Sequence, residues 1–428
     1  MAQQLQSQRD VPRARDDSGR GSRSAVHALV TGLGAMLGVG VFSGFGPAVA
    51  VAGWWVLPGI VLAAAATVCF AVATHGAARV HGGAGGSYEY LREHLGATPG
   101  RMAAALLLCG RAAAAAALAS ALGAHLAPGQ AVPAAVGVVA VATVFRAAGG
   151  ELGYRSRLVG VLLTLLALGV VIAACFAVAP PEQLVVPTPG APGANDPGAV
   201  VMAAAIAFLG FNGFERVTSP ASPRRRYSPR ALRVALPVLF ALVTVLYLLV
   251  TVGLLHQLGS VRLALSPTPL RDALVAANAA ALEPLVVLGA VTAMLPALLL
   301  ALGGVRDIVA GVIRERDLPL AGRLAGPGRS WRLDVVGGGL VAILVVALGQ
   351  TAAFQLAATC LLFYYAFCSA GCRLVLAEGP LLSMRAACLG MGVAVIIGMS
   401  APLPQLLAAF GIAVVAAGLG ALISRRSR

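Results

Sequence analysis

Few side chains in this 428-residue sequence could do chemistry, and two of them fall within or beside apolar stretches. Arg111 lies in the run LLLCGRA at residues 106–112, and Glu215 ends the run AFLGFNGFE at residues 207–215. A charge inside a bilayer is costly, and such residues usually face a cavity, a partner or an ion pathway. The seven Cys and six His show no metal-ligand spacing, so we expect no metal site and no cofactor. Arg111 and Glu215 are therefore the candidates for coupling or gating.

Two interpretations stay open for each of these residues. Arg111 supplies a fixed positive charge inside the protein or pairs with an anionic substrate group; alternatively, its helix begins later and Arg111 snorkels to the cytoplasmic face. Glu215 is either a proton-sensitive residue or an ordinary structural one, hydrogen-bonded to loop N–H groups or paired with Arg216 or Arg111.

The composition indicates which solvent surrounds these residues. The chain is 59% hydrophobic and only 11% charged, whereas a typical soluble domain is about half apolar and about a quarter charged. Most of this surface must therefore face lipid. The net charge of +15 does not indicate nucleic-acid binding, because all 31 basic residues are Arg and almost all lie in short gaps between apolar stretches.

Twelve stretches approach the roughly 20 residues that a helix needs to cross a bilayer. We number them spans 1 to 12; they cover residues 25–49, 53–75, 101–126, 130–146, 157–179, 199–219, 232–256, 281–306, 333–350, 352–376, 384–402 and 404–423. With the N-terminus inside, 28 of the 31 Arg lie in inner segments and two in outer segments. This bias predicts that both termini are cytoplasmic.

Spans 1 and 6 contain glycine runs where a membrane helix should be continuous. The runs are TGLGAMLGVGVF at residues 31–42 and AFLGFNGFE at residues 207–215. Unwound backbone at membrane depth is tolerated only where it is buried in protein or lines a cavity. Because the two spans are five apart, a repeat of five spans would be inverted. In that arrangement, matching interrupted helices indicate a transporter's binding site.

The freed backbone groups at such breaks suit an α-amino acid. N–H groups at the start of a half-helix attract a carboxylate, and freed carbonyls attract an ammonium. The alternative is that the glycines serve packing, since Gly34, Gly38 and Gly44 offer the small-residue contacts common between membrane helices. Recurrence of the feature five spans later favours the binding site.

Four motifs resemble those of the amino acid–polyamine–organocation (APC) superfamily of transporters, in the family's order. Residues 32–42 are similar to its G-x-G-x-x-x-G-x-G-I/V-F signature, and AGGSYEYLREHLG at residues 84–96 resembles the loop after its second span. FLGFNGFE at residues 208–215 and RERDLP at residues 314–319 resemble two further family motifs. The remaining spans fit the family's 5+5+2 layout.

The resemblance implies an all-α membrane protein with 12 transmembrane helices. Its core would be a 5+5 inverted repeat of the LeuT-like kind, with helices 1 and 6 broken and two further helices at the periphery. The expected divisions are a disordered cytoplasmic tail (1–24), the transport core of helices 1–10 (25–376), peripheral helices 11 and 12 (384–423) and a second cytoplasmic tail (424–428).

The resemblance also implies where substrate binds. In the family, the first break receives the substrate's carboxylate, and carbonyls of both breaks receive its amino group. The corresponding residues of this chain are Met36, Gly38, Val39, Gly40, Phe208, Leu209, Phe211 and Asn212. The carboxylate is assigned to residues 38–40, and Leu209, Phe211 and Asn212 are the candidates for side-chain specificity.

The sequence departs from the family pattern in three places. Ala167 stands where many proton-coupled relatives carry a Lys in span 5, and the chain contains no Lys at all. The segment SPASP at residues 219–223 replaces an acidic pair, and Val39 replaces a hydroxyl residue. Coupling to a proton, to sodium or to exchange is therefore left open, and carboxylate binding would depend on backbone N–H groups alone.

The sequence thus predicts a secondary active transporter, a permease that carries an amino acid or related amine across the cell membrane by alternating access. The alternatives are an amino acid exchanger without ion coupling and a non-transporting substrate sensor on the same fold. An enzyme is not expected, because the spans offer Arg111 and little else for catalysis. Expected partners are a small-molecule substrate, membrane lipids and a proton or sodium as candidate coupling ion, with no nucleic acid.

Overall fold

The computed structural model describes residues 25–38, 40–80, 87–180, 191–218, 227–314, 330–376 and 381–426. These residues form seventeen α-helices joined by turns. The helices are α1 (Ala25–Met36), α2 (Gly40–Ser43), α3 (Phe45–Ala52), α4 (Val56–Val80), α5 (Ser87–Leu95), α6 (Ala97–Leu126), α7 (Ala131–Ala147), α8 (Tyr154–Ala177), α9 (Val200–Phe211), α10 (Glu215–Thr218), α11 (Pro229–Leu265), α12 (Pro269–Ala276), α13 (Glu283–Arg314), α14 (Ser330–Ala347), α15 (Gln350–Val375), α16 (Leu381–Met399) and α17 (Leu403–Arg426). The predicted tail 1–24, Val39 and the segment 219–223 lie outside the described residues.

Helices lie in all twelve predicted spans. Helices α1 to α3 form span 1, α9 and α10 form span 6, and the other spans correspond to α4, α6, α7, α8, α11 and α13 to α17. Among the described residues, eight helical segments are long and apolar enough to cross a membrane, and shorter apolar helices occur at α1, α9 and α16. The exact count of twelve crossings stays a prediction.

Several helices extend beyond the predicted limits of their spans. Helix α6 begins at Ala97 rather than at residue 101, and α11 continues to Leu265 rather than ending at 256. Helix α17 reaches Arg426, within the predicted second tail. Hydropathy marks only the apolar part of a helix, so the more polar turns at its ends escape the prediction.

Apolar side chains cover much of the outer surface of the helices. Exposed examples include Val141 and Val144 on α7, Ile343 and Val346 on α14, and Val414 on α17. Exposing such surface to water costs about 25 cal/mol per Å², a cost that disappears where hydrocarbon chains cover it. The chain is therefore a multi-pass membrane protein.

Helix α6 is among the most buried of the long apolar helices that the structure describes. It packs against α7, α13, α14, α15 and α17. The six alanines at residues 112–117 are all buried in these contacts, because small side chains let membrane helices approach closely. Arg111 directly precedes this run, so the packing of α6 holds it within the bundle.

Helix α11 passes beside the first interrupted helix. It packs against α1, α3 and α4. Ser228 caps its start by accepting a hydrogen bond from the Ala231 N–H at 3.2 Å, with Pro229 at the first helical position. Gly259, with φ of +71°, interrupts the helix near its far end. The intervening part of α11 carries Tyr247 to the two breaks.

Candidate functional site

The first break separates α1 from α2. Helix α1 ends at Met36, and α2 begins at Gly40. Gly38, between them, lies directly against α13, where an added Cβ would collide with the Ala297 side chain and come within 2.9 Å of the Ala293 carbonyl oxygen. Only glycine fits at this contact, so close packing and the break occur at the same residue.

The second break separates α9 from α10. After Phe211, Asn212 is extended (φ −67°, ψ 144°), and its side-chain oxygen accepts a hydrogen bond from the Gly213 N–H at 3.0 Å. Gly213 has φ of +114°, which other residues rarely adopt. A Cβ on Gly213 would lie 2.9 Å from the carbonyl oxygen of Ala35 in α1. The predicted interruption of span 6 is therefore present, and it touches span 1.

The two breaks meet at one tyrosine. A Cβ on Gly40 would lie 2.6 Å from the Cα of Gly210, so the two backbones are in direct contact. The Tyr247 hydroxyl donates to the carbonyl oxygens of both Met36 (2.7 Å) and Gly210 (2.8 Å). These carbonyls belong to the last turns of α1 and α9, where a helix leaves acceptors without an intrahelical partner.

Of the predicted specificity residues, Leu209 and Phe211 are almost fully buried, whereas Asn212 is only partly buried. Phe208, another of the predicted binding residues, is fully buried. The Phe208 ring lies edge-on to those of Phe70 (5.8 Å between centroids) and Tyr365 (5.7 Å). Phe211 meets Tyr247 in the same way at 5.1 Å. Of the eight predicted binding residues, seven are described and surround the two breaks, while Val39 falls outside the described residues.

Arg111 forms an ion pair with Glu215. Its Nη2 lies 2.6 Å from the Glu215 Oε2, and the side chains are 23% and 15% exposed. Arg111 lies near the middle of the 30-residue α6, and Glu215 begins α10 at the second break. Gly304 on α13 leaves room for the guanidinium, because a Cβ there would collide with it. The two candidates thus form one pair, as one of the sequence interpretations had it.

A further set of charges, not predicted from the sequence, lies on neighbouring helices. Asp334 on α14 is almost fully buried between Arg146 of α7 (3.3 Å) and Arg306 of α13 (3.2 Å). The Arg216 guanidinium donates to the Leu300 carbonyl oxygen of α13 at 2.8 Å. The signal was an Asp within an apolar span, but its partner Arg146 is 188 positions away in sequence.

Comparisons with known proteins identify the family of this chain. Residues 24–423 match the family model described as amino acid permease. The chain belongs to the amino acid permease family. An uncharacterized transporter of Mycobacterium bovis and another of Mycobacterium tuberculosis are each 31% identical to this permease over an alignment of 437 residues, which covers 98% of this chain and 95% of theirs.

A solved structure shares the fold of this permease. It is the substrate-bound, outward-open state of a Na⁺-coupled sialic acid symporter, which superposes with a TM-score of 0.53 and covers 90% of this chain and 91% of its own. The sequence identity of 12% is too low to indicate a common substrate or ion. The fold is LeuT-like, as the resemblance implied, and the permease is a membrane transporter.

Proposed function

We propose that this permease is a secondary active transporter that carries an amino acid or related amine across the cytoplasmic membrane by alternating access. The main support for this proposal is that the two broken helices meet. At this point the carbonyl oxygens of Met36 and Gly210 both accept a hydrogen bond from the Tyr247 hydroxyl. In this proposal residues 25–376 form the transport core, 384–423 are peripheral, and both termini are cytoplasmic.

The converging carbonyls suit the amino group of the substrate. Helices α1 and α9 both end at this point, and a helix carboxyl end carries about half a negative charge. A cation with several N–H donors complements two such ends better than a neutral solute does. The backbone N–H groups of residues 38–40 are the proposed partners of the carboxylate, and Leu209, Phe211 and Asn212 the proposed contacts of the substrate side chain.

The Arg111–Glu215 pair is the proposed closure on the cytoplasmic side. It connects α10, the second half of span 6, to α6 across a distance of 2.6 Å. The Arg216 hydrogen bond to the Leu300 carbonyl connects the same short helix to α13. If spans 1 and 6 move relative to spans 3 and 8 during transport, both contacts must break, so they favour the state in which this side is closed.

An amino acid exchanger without ion coupling is the second candidate function, and a specific contact favours it. Ala167 in span 5 packs directly on α13, where a Cβ on Gly289 would lie 2.6 Å from the Ala167 Cβ. The neighbouring Thr164 hydroxyl donates to the Gly160 carbonyl at 2.8 Å. Span 5 therefore carries no side-chain charge at the position where many proton-coupled relatives have a Lys, so the exchanger is proposed without a charged coupling group there.

Uptake by purified protein in proteoliposomes tests the proposal. The assay uses radiolabelled amino acids and amines, with and without an inward proton or sodium gradient, and with and without substrate inside. We expect saturable, protein-dependent uptake of one amino-acid class. Gradient dependence would support secondary active transport, uptake only with internal substrate would support the exchanger, and binding without flux would support the sensor. Absence of both binding and flux would contradict all three.

A further inference from the structure

Tyr247 is fully buried in α11, and its hydroxyl group is shared between the two breaks. It donates to the Met36 carbonyl at 2.7 Å and to the Gly210 carbonyl at 2.8 Å. A tyrosine hydroxyl has a single proton, whereas each carbonyl oxygen has two lone pairs. One neutral donor therefore serves two acceptors that together could accept several hydrogen bonds.

The packing around Tyr247 holds the hydroxyl at this point. Its ring lies edge-on between Phe45 (5.2 Å between centroids) and Phe211 (5.1 Å), one on each broken helix. Gly40 and Gly210 press against the same ring: a Cβ on Gly210 would lie 2.9 Å from a Tyr247 ring carbon. A larger residue at either glycine would push the tyrosine and the two carbonyls apart.

We propose that Tyr247 is an internal stand-in for the substrate's amino group. In the empty protein its hydroxyl satisfies the carbonyls of Met36 and Gly210 and holds the two breaks together. When substrate binds, the ammonium takes over these acceptors, because hydrogen bonds from a charged donor are about twice as strong as those from a neutral one. Tyr247 then becomes free to move with the breaks. This inference depends on the proposed function, since it assumes an amine substrate.

The exchange of donors defines the class of ligand that the site accepts. A ligand must bring both a positive charge and N–H groups to displace the hydroxyl. An amino acid qualifies, whereas its deaminated acid lacks the donor altogether. A trimethylated ammonium analogue keeps the charge but has no N–H to give to the carbonyls, so it is excluded as well.

The test compares Tyr247→Phe with the wild-type protein and with Tyr227→Phe as a matched control. Tyr227 also donates one hydrogen bond to span 1, but to the Thr31 hydroxyl (3.1 Å) rather than to a break carbonyl. Hydrogen–deuterium exchange of the empty proteins reports on the amides around residues 40–44 and 211–215. Equilibrium binding measures how readily the Met36 and Gly210 carbonyls accept the ligand's amino group. The ligand is the transported amino acid, or the best binder in an amino-acid panel.

The inference predicts opposite effects of Tyr247→Phe on the empty and the loaded protein. Amides of both breaks should exchange at least several-fold faster in the empty variant. Substrate should bind roughly threefold to tenfold more tightly, because one neutral hydrogen bond no longer competes for the acceptors. Tyr227→Phe should show neither effect at the breaks.

Three results would overturn the inference. Weaker substrate binding in Tyr247→Phe would make the hydroxyl a direct substrate ligand, and behaviour equal to that of Tyr227→Phe would give it no special role. If the wild-type protein binds no amine, the stand-in role fails together with the proposed function. Hydrogen–deuterium exchange distinguishes failure of the proposed function from failure of the inference. Faster amide exchange at the breaks in Tyr247→Phe would show that the hydroxyl holds the two helices together, even if no amine binds.

Discussion

At the scale of single residues, the charge of Arg111 is compensated by one carboxylate inside the protein. The side chains of Arg111 and Glu215 are both less than a quarter exposed. Removing one member of such a pair leaves an uncompensated charge and costs about 3–5 kcal/mol, whereas removing both costs far less. We therefore expect the pair to affect mainly which conformation is favoured.

A double-mutant cycle tests this account of the pair. We expect Arg111→Gln and Glu215→Gln each to lower thermal stability and to reduce uptake by about tenfold or more. The double variant should be less destabilised than either single variant, which corresponds to a coupling energy of more than about 3 kcal/mol. Thermal unfolding in detergent and uptake in proteoliposomes measure the two effects.

The more exposed pair Arg271–Glu283 provides the control for this cycle. Its side chains are 29% and 27% exposed, and the contribution of an ion pair falls with exposure, to about 0–1 kcal/mol for a pair fully in water. Arg271→Gln should therefore leave stability and uptake close to wild type. Additive effects of Arg111→Gln and Glu215→Gln would contradict a functional ion pair.

At the scale of elements, the glycines of spans 1 and 6 serve both the breaks and the packing. The sequence alternatives of binding site and close packing are not exclusive, since Gly38 lies in the first break and also fits against α13. The predicted breaks followed from glycine runs, which have a clear physical cause. Tyr247 could not be predicted, because a single Tyr in an apolar span is an ordinary core residue until its acceptors are known.

Glycine substitutions test whether the contact between the breaks is essential. Gly40→Ala would place a Cβ 2.6 Å from the Gly210 Cα, and backbone cannot move aside as a flexible side chain can. We expect this variant to lose several degrees of thermal stability and most of its uptake. Melting temperature and initial uptake rate are the measurements.

Gly137→Ala is the matched control for this substitution. Gly137 lies within α7 and has no atom within 4 Å of the position of an added Cβ. Alanine is better than glycine in a helix interior by about 1 kcal/mol, so this variant should be as stable as wild type or more so. A Gly40→Ala protein that transports normally would show that the breaks tolerate separation.

At the scale of the whole molecule, the composition predicted a multi-pass helical membrane protein, whereas the details of the site could not be predicted. Long apolar stretches in a membrane favour helices, because a helix satisfies its own backbone hydrogen bonds, and the family motifs supplied the LeuT-like arrangement. Ion pairs such as Arg146–Asp334 depend on which distant helices become neighbours. That arrangement follows from three-dimensional packing, and local patterns in the sequence do not contain it.

Binding of three matched ligands tests whether the carbonyl groups of Met36 and Gly210 at the two breaks bind the amino group of the substrate. The ligands are the best-transported amino acid, its decarboxylated amine and its deaminated acid, measured by equilibrium binding to the purified protein. We expect saturable binding of the amino acid and at least tenfold weaker binding once the amino group is removed. Equal binding of the deaminated acid, or no binding of any of the three, would contradict it.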